Sequence, residues 1–255
     1  MRILLSNDEG YHAPGLVVLE KIAAELSDDV WIVAPSEEQS GTGRSLTLTR
    51  PLRVRKFAER RFAVTGTPTD AVMIALAELM DGAPDLILSG VNRGGNLAED
   101  VMYSGTVSAA LEGALAGIRS IALSQRYGAL QPGDDVSFAV AEAWGVRAIE
   151  PLLTAEWAPR TIVNVNFPAT EPGDVRGIKV VRQGLRDYGR VRFETRKDPR
   201  GFDYHWLALG AMRGDPVPDS DLAAVADGWI TVTPLHLDLT HEASLASLSR
   251  VYCEE

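Results

Sequence analysis

Two rhythms of hydrophobic and polar positions alternate along this chain. Ile3 to Leu5 form a short unbroken apolar run, the pattern of a parallel strand covered on both faces. Pro14 is placed to open a helix, and Leu16, Leu19, Ile22, Ala23 and Leu26 follow at helical spacing. Val30 to Ala34 reads as a buried strand ended by Pro35, with a polar loop from Ser36 to Ser45 behind it. Leu46 to Val54 and Phe62 to Val64 predict further strands. Thr67-Pro68-Thr69-Asp70 has the form of a capping box, so Asp70 is expected to cap a helix running through Ala71 to Met80. Asp85 to Ser89 predicts the next strand, which empties into a glycine-rich loop from Gly90 to Asn96. Val107, Ala110, Leu111, Ala114 and Leu115 then share one helical face. Ile121 to Leu123, a helix from Phe138 to Glu150, and Ile162 to Phe167 continue the alternation. Such a succession predicts a three-layer α/β sandwich with a mainly parallel sheet.

The pattern changes after Pro168. Nine Arg and Lys residues lie between Arg176 and Arg200, Arg186, Arg190 and Arg196 among them. Val191, Phe193 and Thr195 alternate with charged residues, which predicts a strand of an extended hairpin. Such an arm is open to three uses: pairing with another subunit, meeting substrate phosphates, or standing solvated with routine salt bridges. Asp221 to Asp227 predicts a short helix stopped by Gly228, Trp229 to Pro234 a strand, and Glu242 to Tyr252 a closing helix. No repeat, low-complexity segment or linker divides the chain, so residues 1–255 read as one domain with an arm near 176–205.

Composition adds limits. The chain has 255 residues, 45% hydrophobic and 24% charged, which is ample for a core. No basic-then-apolar leader opens it, and no apolar run is long enough for a membrane span. Cys253 is the single cysteine, which excludes a disulfide framework and a thiolate cluster and fits the reducing cytoplasm. A formal net charge of -10 argues against a non-specific grip on long nucleic acid. His12, His205, His236 and His241 have no zinc-motif spacing, and there is no Gly-x-Ser-x-Gly elbow.

Candidate chemistry begins where the first strand ends, in Asp8, Glu9 and Gly10. Two carboxylates held roughly 4 Å apart near a protein surface repel by about 4 kcal/mol, so a cation between them is favoured. Neighbouring strand side chains point to opposite faces. Both acids can serve one ion only if the backbone turns, which Gly10 permits. A divalent-metal site and a pair of solvated carboxylates both fit this stretch. Gly41-x-Gly43 is a weak signal without the rest of a nucleotide fingerprint. Ser104, Gly105 and Thr106 open a helix, where free N–H groups and the positive dipole end make an anion site; simple N-capping by Ser104 or Thr106 fits as well.

Several stretches together resemble one family, survival protein E (SurE). They are Ile-Leu-Leu-Ser-Asn-Asp-Glu-Gly at the start, Ala-Pro-x4-Ser-Gly around Ser40, Gly-Thr-Pro-Thr-Asp at Gly66 and Ser-Gly-Val-Asn-Arg-Gly-Gly-Asn from Ser89. Asp-Val-Met-Tyr-Ser-Gly-Thr-Val from Asp100, Asn-Val-Asn-Phe-Pro at Asn164 and Thr-Pro-Leu-His-x-Asp-Leu-Thr from Thr233 continue the match in order. The resemblance implies a Rossmann-like α/β/α core with a protruding hairpin and C-terminal elements used in homodimer or homotetramer assembly. It also implies a metal-dependent 5′-nucleotidase acting on nucleoside monophosphates, with 3′-nucleotides and short polyphosphate as further substrates in some members. Carried over by motif, the metal ligands are Asp8, Glu9, Ser40 and Asn92, an all-oxygen set suited to one Mg²⁺ or Mn²⁺ per subunit. Asn96, Ser104, Gly105 and Thr106 match the phosphate-binding part, and Asp8 or Glu9 is the implied proton acceptor. The family usually has Asp-Asp where this chain has Asp8-Glu9. A nucleotide sensor on the same fold, binding without hydrolysis, is the alternative this departure leaves open.

Overall fold

The computed structural model describes residues 1–129, 135–186, 192–208 and 216–252. In chain order its first half comprises β1 (Arg2–Ser6), α1 (Pro14–Leu26), β2 (Asp29–Pro35), β3 (Val54–Ala58), β4 (Arg61–Val64), α2 (Pro68–Ile74), β5 (Leu86–Arg93) and α3 (Gly105–Leu115). Then come β6 (Arg119–Gln125), α4 (Ala139–Thr154), β7 (Thr161–Phe167), β8 (Ile178–Val180), β9 (Arg192–Lys197), β10 (Asp203–Ala208), α5 (Asp221–Ala226), β11 (Ile230–His236) and α6 (Glu242–Tyr252). Nine strands join in the order β3-β4-β2-β1-β5-β6-β7-β11-β8, while β9 and β10 pair separately as an antiparallel hairpin. Within the large sheet only β3 with β4 and β7 with β11 run antiparallel; the other six pairings are parallel.

The apolar run of β1 shows why the sheet is covered twice. Ile3 and Leu5 pack with Leu19 and Ile22 of α1 and Val140 and Ile149 of α4. Leu4 points the other way, into a cluster with Val33, with Val72 of α2 and with Ala109 of α3. All three β1 side chains have no solvent exposure. Alternation of side chains across a strand, with helices on both faces, leaves no polar position in its middle.

Strand order also places the ligand edge. β1 pairs in parallel with β2 on one side and with β5 on the other, so consecutive crossovers leave β1 in opposite directions. In open α/β sheets ligands bind outside the carboxyl ends of strands at such a reversal. Asp8 and Glu9 follow β1 there, the Ser36–Ser45 loop follows β2, and Asn92 lies one residue before the end of β5 at Arg93.

Four expected elements differ from the structure. Leu46 to Val54 is irregular, and the strand begins only at Val54. Pro51 lacks the ladder donor. Side chains satisfy the neighbouring backbone instead: Thr47 N–H donates to Asp70 Oδ1 (3.1 Å) and Arg53 N–H to Thr65 Oγ1 (2.9 Å). The capping box at Thr67 forms with both of its hydrogen bonds, but α2 ends at Ile74 and widens into a π-helical turn over Ala75–Leu79. The strand from Leu86 continues through Gly90 to Arg93, because Asn92 and Arg93 pair with Ser124 and Gln125 of β6 after a register shift. Of the basic stretch, Ile178–Val180 belongs to the large sheet beside β11, and among the described residues the hairpin begins at Arg192. Arg190, Val191 and Cys253 lie outside the described residues.

Candidate active site

Asp8 is 4% exposed and its carboxylate meets the start of α3. Thr106 Oγ1 donates to Asp8 Oδ1 at 2.6 Å. Gly105 lets the helix approach this closely, because a Cβ there would fall 2.6 Å from Asp8 Cβ. Ser104 is the N-cap: its hydroxyl oxygen accepts from Val107 N–H at 3.0 Å. The capping reading therefore holds for Ser104, while Thr106 spends its hydroxyl on Asp8. The anion that the structure places at the positive end of this helix is the chain's own carboxylate.

Gly10, directly after Glu9, adopts a φ of +99° that turns the chain out of β1. Glu9 Oε1 accepts from Arg93 N–H at 2.9 Å and lies 3.6 Å from the Arg93 guanidinium. The same guanidinium stands 3.7 Å from Glu38 Oε1, which accepts from Ser40 Oγ at 3.0 Å. Gln39 N–H donates to the Asp8 carbonyl at 2.7 Å and so ties the Ser40 loop to the end of β1. Asn92 Nδ2 donates to the Gly94 carbonyl at 2.9 Å, which fixes the amide with its oxygen as the remaining acceptor. The loops that carry Asp8, Glu9, Ser40 and Asn92 thus meet through short hydrogen bonds at one edge of the sheet.

Asn96 belongs to an adjoining buried network. Its Nδ2 donates to Ser124 Oγ (2.9 Å) and its backbone N–H to Asn166 Oδ1 (2.9 Å). Its carbonyl accepts from Asn164 (2.8 Å) and Asn166 (3.1 Å). Sequence reasoning gave Asn164 and Asn166 no individual role, nor Arg93 and Glu38. The available signal was the pair of amides at alternate positions inside an otherwise apolar strand.

The electrostatics are unbalanced. Burial pushes the Asp8 carboxyl above its ordinary value, against the Thr106 hydroxyl and backbone N–H that favour the carboxylate. Burial likewise pushes Glu9 up to about 7, opposed by the Arg93 N–H and guanidinium and reinforced by Asp8. Asn7 Oδ1, between this pair and β1, is buried without a hydrogen-bond partner. Among the described residues no group of three His, Cys, Asp or Glu side chains is arranged to hold a metal ion, so the donors expected here are the carboxylates of Asp8 and Glu9, a hydroxyl and amide oxygens. Hard oxygen donors of that kind fit Mg²⁺ or Mn²⁺ and not zinc. A dication here would offset the burial penalty on both acids.

Fold and site define a doubly wound, Rossmann-like α/β protein with an acid-lined crevice at the reversal of its strand order. The family model for Survival protein SurE matches residues 3–190. A protein of Rhizorhabdus wittichii named 5′-nucleotidase SurE is 65% identical over 253 residues, covering 99% of this chain and 100% of that one. A second of that name, from Hyphomonas neptunium, is 52% identical over 248 residues, covering 97% and 98%. The crystal structure of the SurE protein from Aquifex aeolicus superposes with a TM-score of 0.83 at 38% identity, covering 99% of this chain and 100% of that one. This chain belongs to the SurE family.

Proposed function

We propose that this chain is a 5′-nucleotidase, a phosphoric monoester hydrolase that releases phosphate from nucleoside 5′-monophosphates. The observation that carries the reading is the buried Asp8 carboxylate wedged against Gly105 and Thr106 at the strand-order reversal, in a chain 65% identical to a protein named for this activity. Asp8, Glu9, Ser40 and Asn92 are the residues that would hold one Mg²⁺ or Mn²⁺ ion. When bound, the ion supplies Lewis acidity and neutralises charge on the phosphoryl group.

The chain's own residues do the rest. Gly105 and Thr106 open α3, and Asn96 has one amide hydrogen left after its bond to Ser124; beside Asp8, these groups would stabilise the phosphoryl oxygens. Water attacks phosphorus, the bond to the 5′ oxygen breaks, the acid pair accepts the proton of water, and the departing nucleoside oxygen gains one. Thr106 holds Asp8 and Arg93 holds Glu9 in place for that step.

Assembly and location complete the reading: a cytoplasmic homo-oligomer. No described helix is long and apolar enough to cross a membrane. The β9–β10 hairpin exposes Phe193, Trp206 and Leu207, and α6 exposes Leu245, Leu248 and Val251, apolar faces that a second copy would cover.

Phosphate release from AMP or GMP with Mn²⁺ or Mg²⁺, abolished by a chelator, tests the reaction. Asp8→Asn is expected to lower turnover of p-nitrophenyl phosphate at least about 100-fold with an unchanged far-ultraviolet spectrum. Full activity of that variant would overturn the assignment, and AMP binding without phosphate release would make the chain a sensor.

A further inference from the structure

One cavity of about 410 Å³ opens beside Glu9, and a second of the same volume lies beyond the carboxyl end of β6. One is lined by Glu9, Glu38, Arg93, Asp135 and Phe138, the other by Arg126, Tyr127, Asp135, Ser137 and Thr170. Asp135 lines both, so the two cavities adjoin at that residue, between Glu9 and Tyr127.

Tyr127 lines the second cavity, beyond the carboxyl end of β6. Gly94 N–H donates to the Gln125 carbonyl at 2.9 Å, which pins the loop between Asn92 and Asn96 to the end of that strand. Above this anchor the Tyr127 ring covers Gly94: a Cβ there would lie 3.6 Å from Tyr127 Cε1 and 3.9 Å from Asn92 Nδ2. One edge of the ring is therefore fixed within the loop that carries Asn92 and Asn96. Yet Tyr127 remains 43% exposed, and it makes no ring contact with another aromatic side chain among the described residues.

We propose that Tyr127 is the stacking platform for the base of the nucleotide, and so a specificity-determining residue; this rests on the nucleotidase reading above. A phosphoryl group held at Asp8 and Gly105 leaves the nucleoside to extend outward, and the adjoining cavities lie between Glu9 and a half-open aromatic face. Every base has a π face, so stacking on Tyr127 favours nucleotides over sugar phosphates without selecting one base. The Thr170 hydroxyl, buried without a partner and lining the same cavity as Tyr127, is a polar group that a base can satisfy.

The test compares kcat/KM for AMP with kcat/KM for ribose 5-phosphate, which carries the same phosphate and sugar without a base. Wild type is expected to prefer AMP, Tyr127→Ala to cut that preference about tenfold, and Tyr127→Phe to keep it. Tyr103→Ala probes another exposed ring, just before α3, and is expected to leave the preference unmoved. An AMP preference unchanged in Tyr127→Ala, or lost instead in Tyr103→Ala, overturns the stacking site and leaves the nucleotidase reading standing. If wild type hydrolyses neither substrate, the nucleotidase reading fails. The platform is then judged by the fluorescence of 2-aminopurine riboside 5′-monophosphate: quenching that Tyr127→Ala abolishes supports it, and unquenched emission with wild type overturns it.

Discussion

Replacing Gly105 with alanine sets helix propensity against the geometry of the site. On propensity alone the change stabilises a helix by about 1 kcal/mol. In this chain the new Cβ would lie 2.6 Å from Asp8 Cβ, 3.0 Å from Asp8 Oδ2 and 3.0 Å from Pro68 Cγ. Ordinary carbon–carbon contact needs roughly 3.5–4.0 Å, so Asp8 or the first turn of α3 must retreat by about 1 Å. Overpacking of that kind costs about 1–3 kcal/mol, which the gain in propensity partly offsets. Nothing offsets the displacement itself. It breaks the 2.6 Å bond from Thr106 Oγ1 to Asp8, and a misplacement of about 1 Å at a reacting centre costs about 100-fold in rate. Gly105→Ala is therefore expected to melt within a few degrees of wild type (about 1–2 kcal/mol of destabilisation), to hydrolyse AMP about 100-fold more slowly, and to bind Mn²⁺ more weakly by calorimetry. Gly173→Ala is the control, because a Cβ there meets nothing within 4 Å. A Gly105→Ala protein with wild-type kcat/KM and wild-type Mn²⁺ affinity would refute the claim that this glycine exists for Asp8.

Two further outcomes follow from other parts of the molecule. Asp70 is buried; burial works against its charge, yet hydrogen bonds from Thr47 and Thr67 hold it below the usual carboxylate range. Asp70→Ala removes the acceptor of Thr67 N–H (2.8 Å) and Thr47 N–H (3.1 Å) together, and is expected to cost about 2–4 kcal/mol in urea unfolding. Asp70→Asn keeps one acceptor oxygen and should cost less; equal losses would show that packing and not capping holds this residue. Deleting the segment from Arg186 to Thr195, which removes β9 up to Thr195 and leaves only Arg196 and Lys197 of it, is expected to yield a monomer by light scattering, and an unchanged oligomer would refute the assembly role of the hairpin.

The elements that were legible in the sequence are those whose own residues settle their fate. Ile3 to Leu5 had to be buried on both faces, and Thr67 to Asp70 closes its capping box within four residues. Leu46 to Val54 misled because its backbone is satisfied by Asp70 and Thr65, partners that no local pattern displays. Gly90 and Asn92 looked like loop and proved to be strand, since the register shift that keeps them paired belongs to β6 as much as to β5.

For the site, the sequence by itself supplied the chemistry: adjacent acids after a strand, a glycine to turn the chain, small hydroxylated residues at a helix start, and motifs shared with one family. It left two uses of Ser104 and Thr106 equally open. Only the packing of α3 against the end of β1 decided that Ser104 caps while Thr106 holds Asp8. The Arg93–Glu38 link and the placement of Tyr127 over Gly94 were likewise invisible, because each joins segments from different strands. Local rules describe bonds that a short segment can make with itself. Where a buried charge finds its partner depends on which strands lie side by side, and that is set only when the whole sheet is assembled.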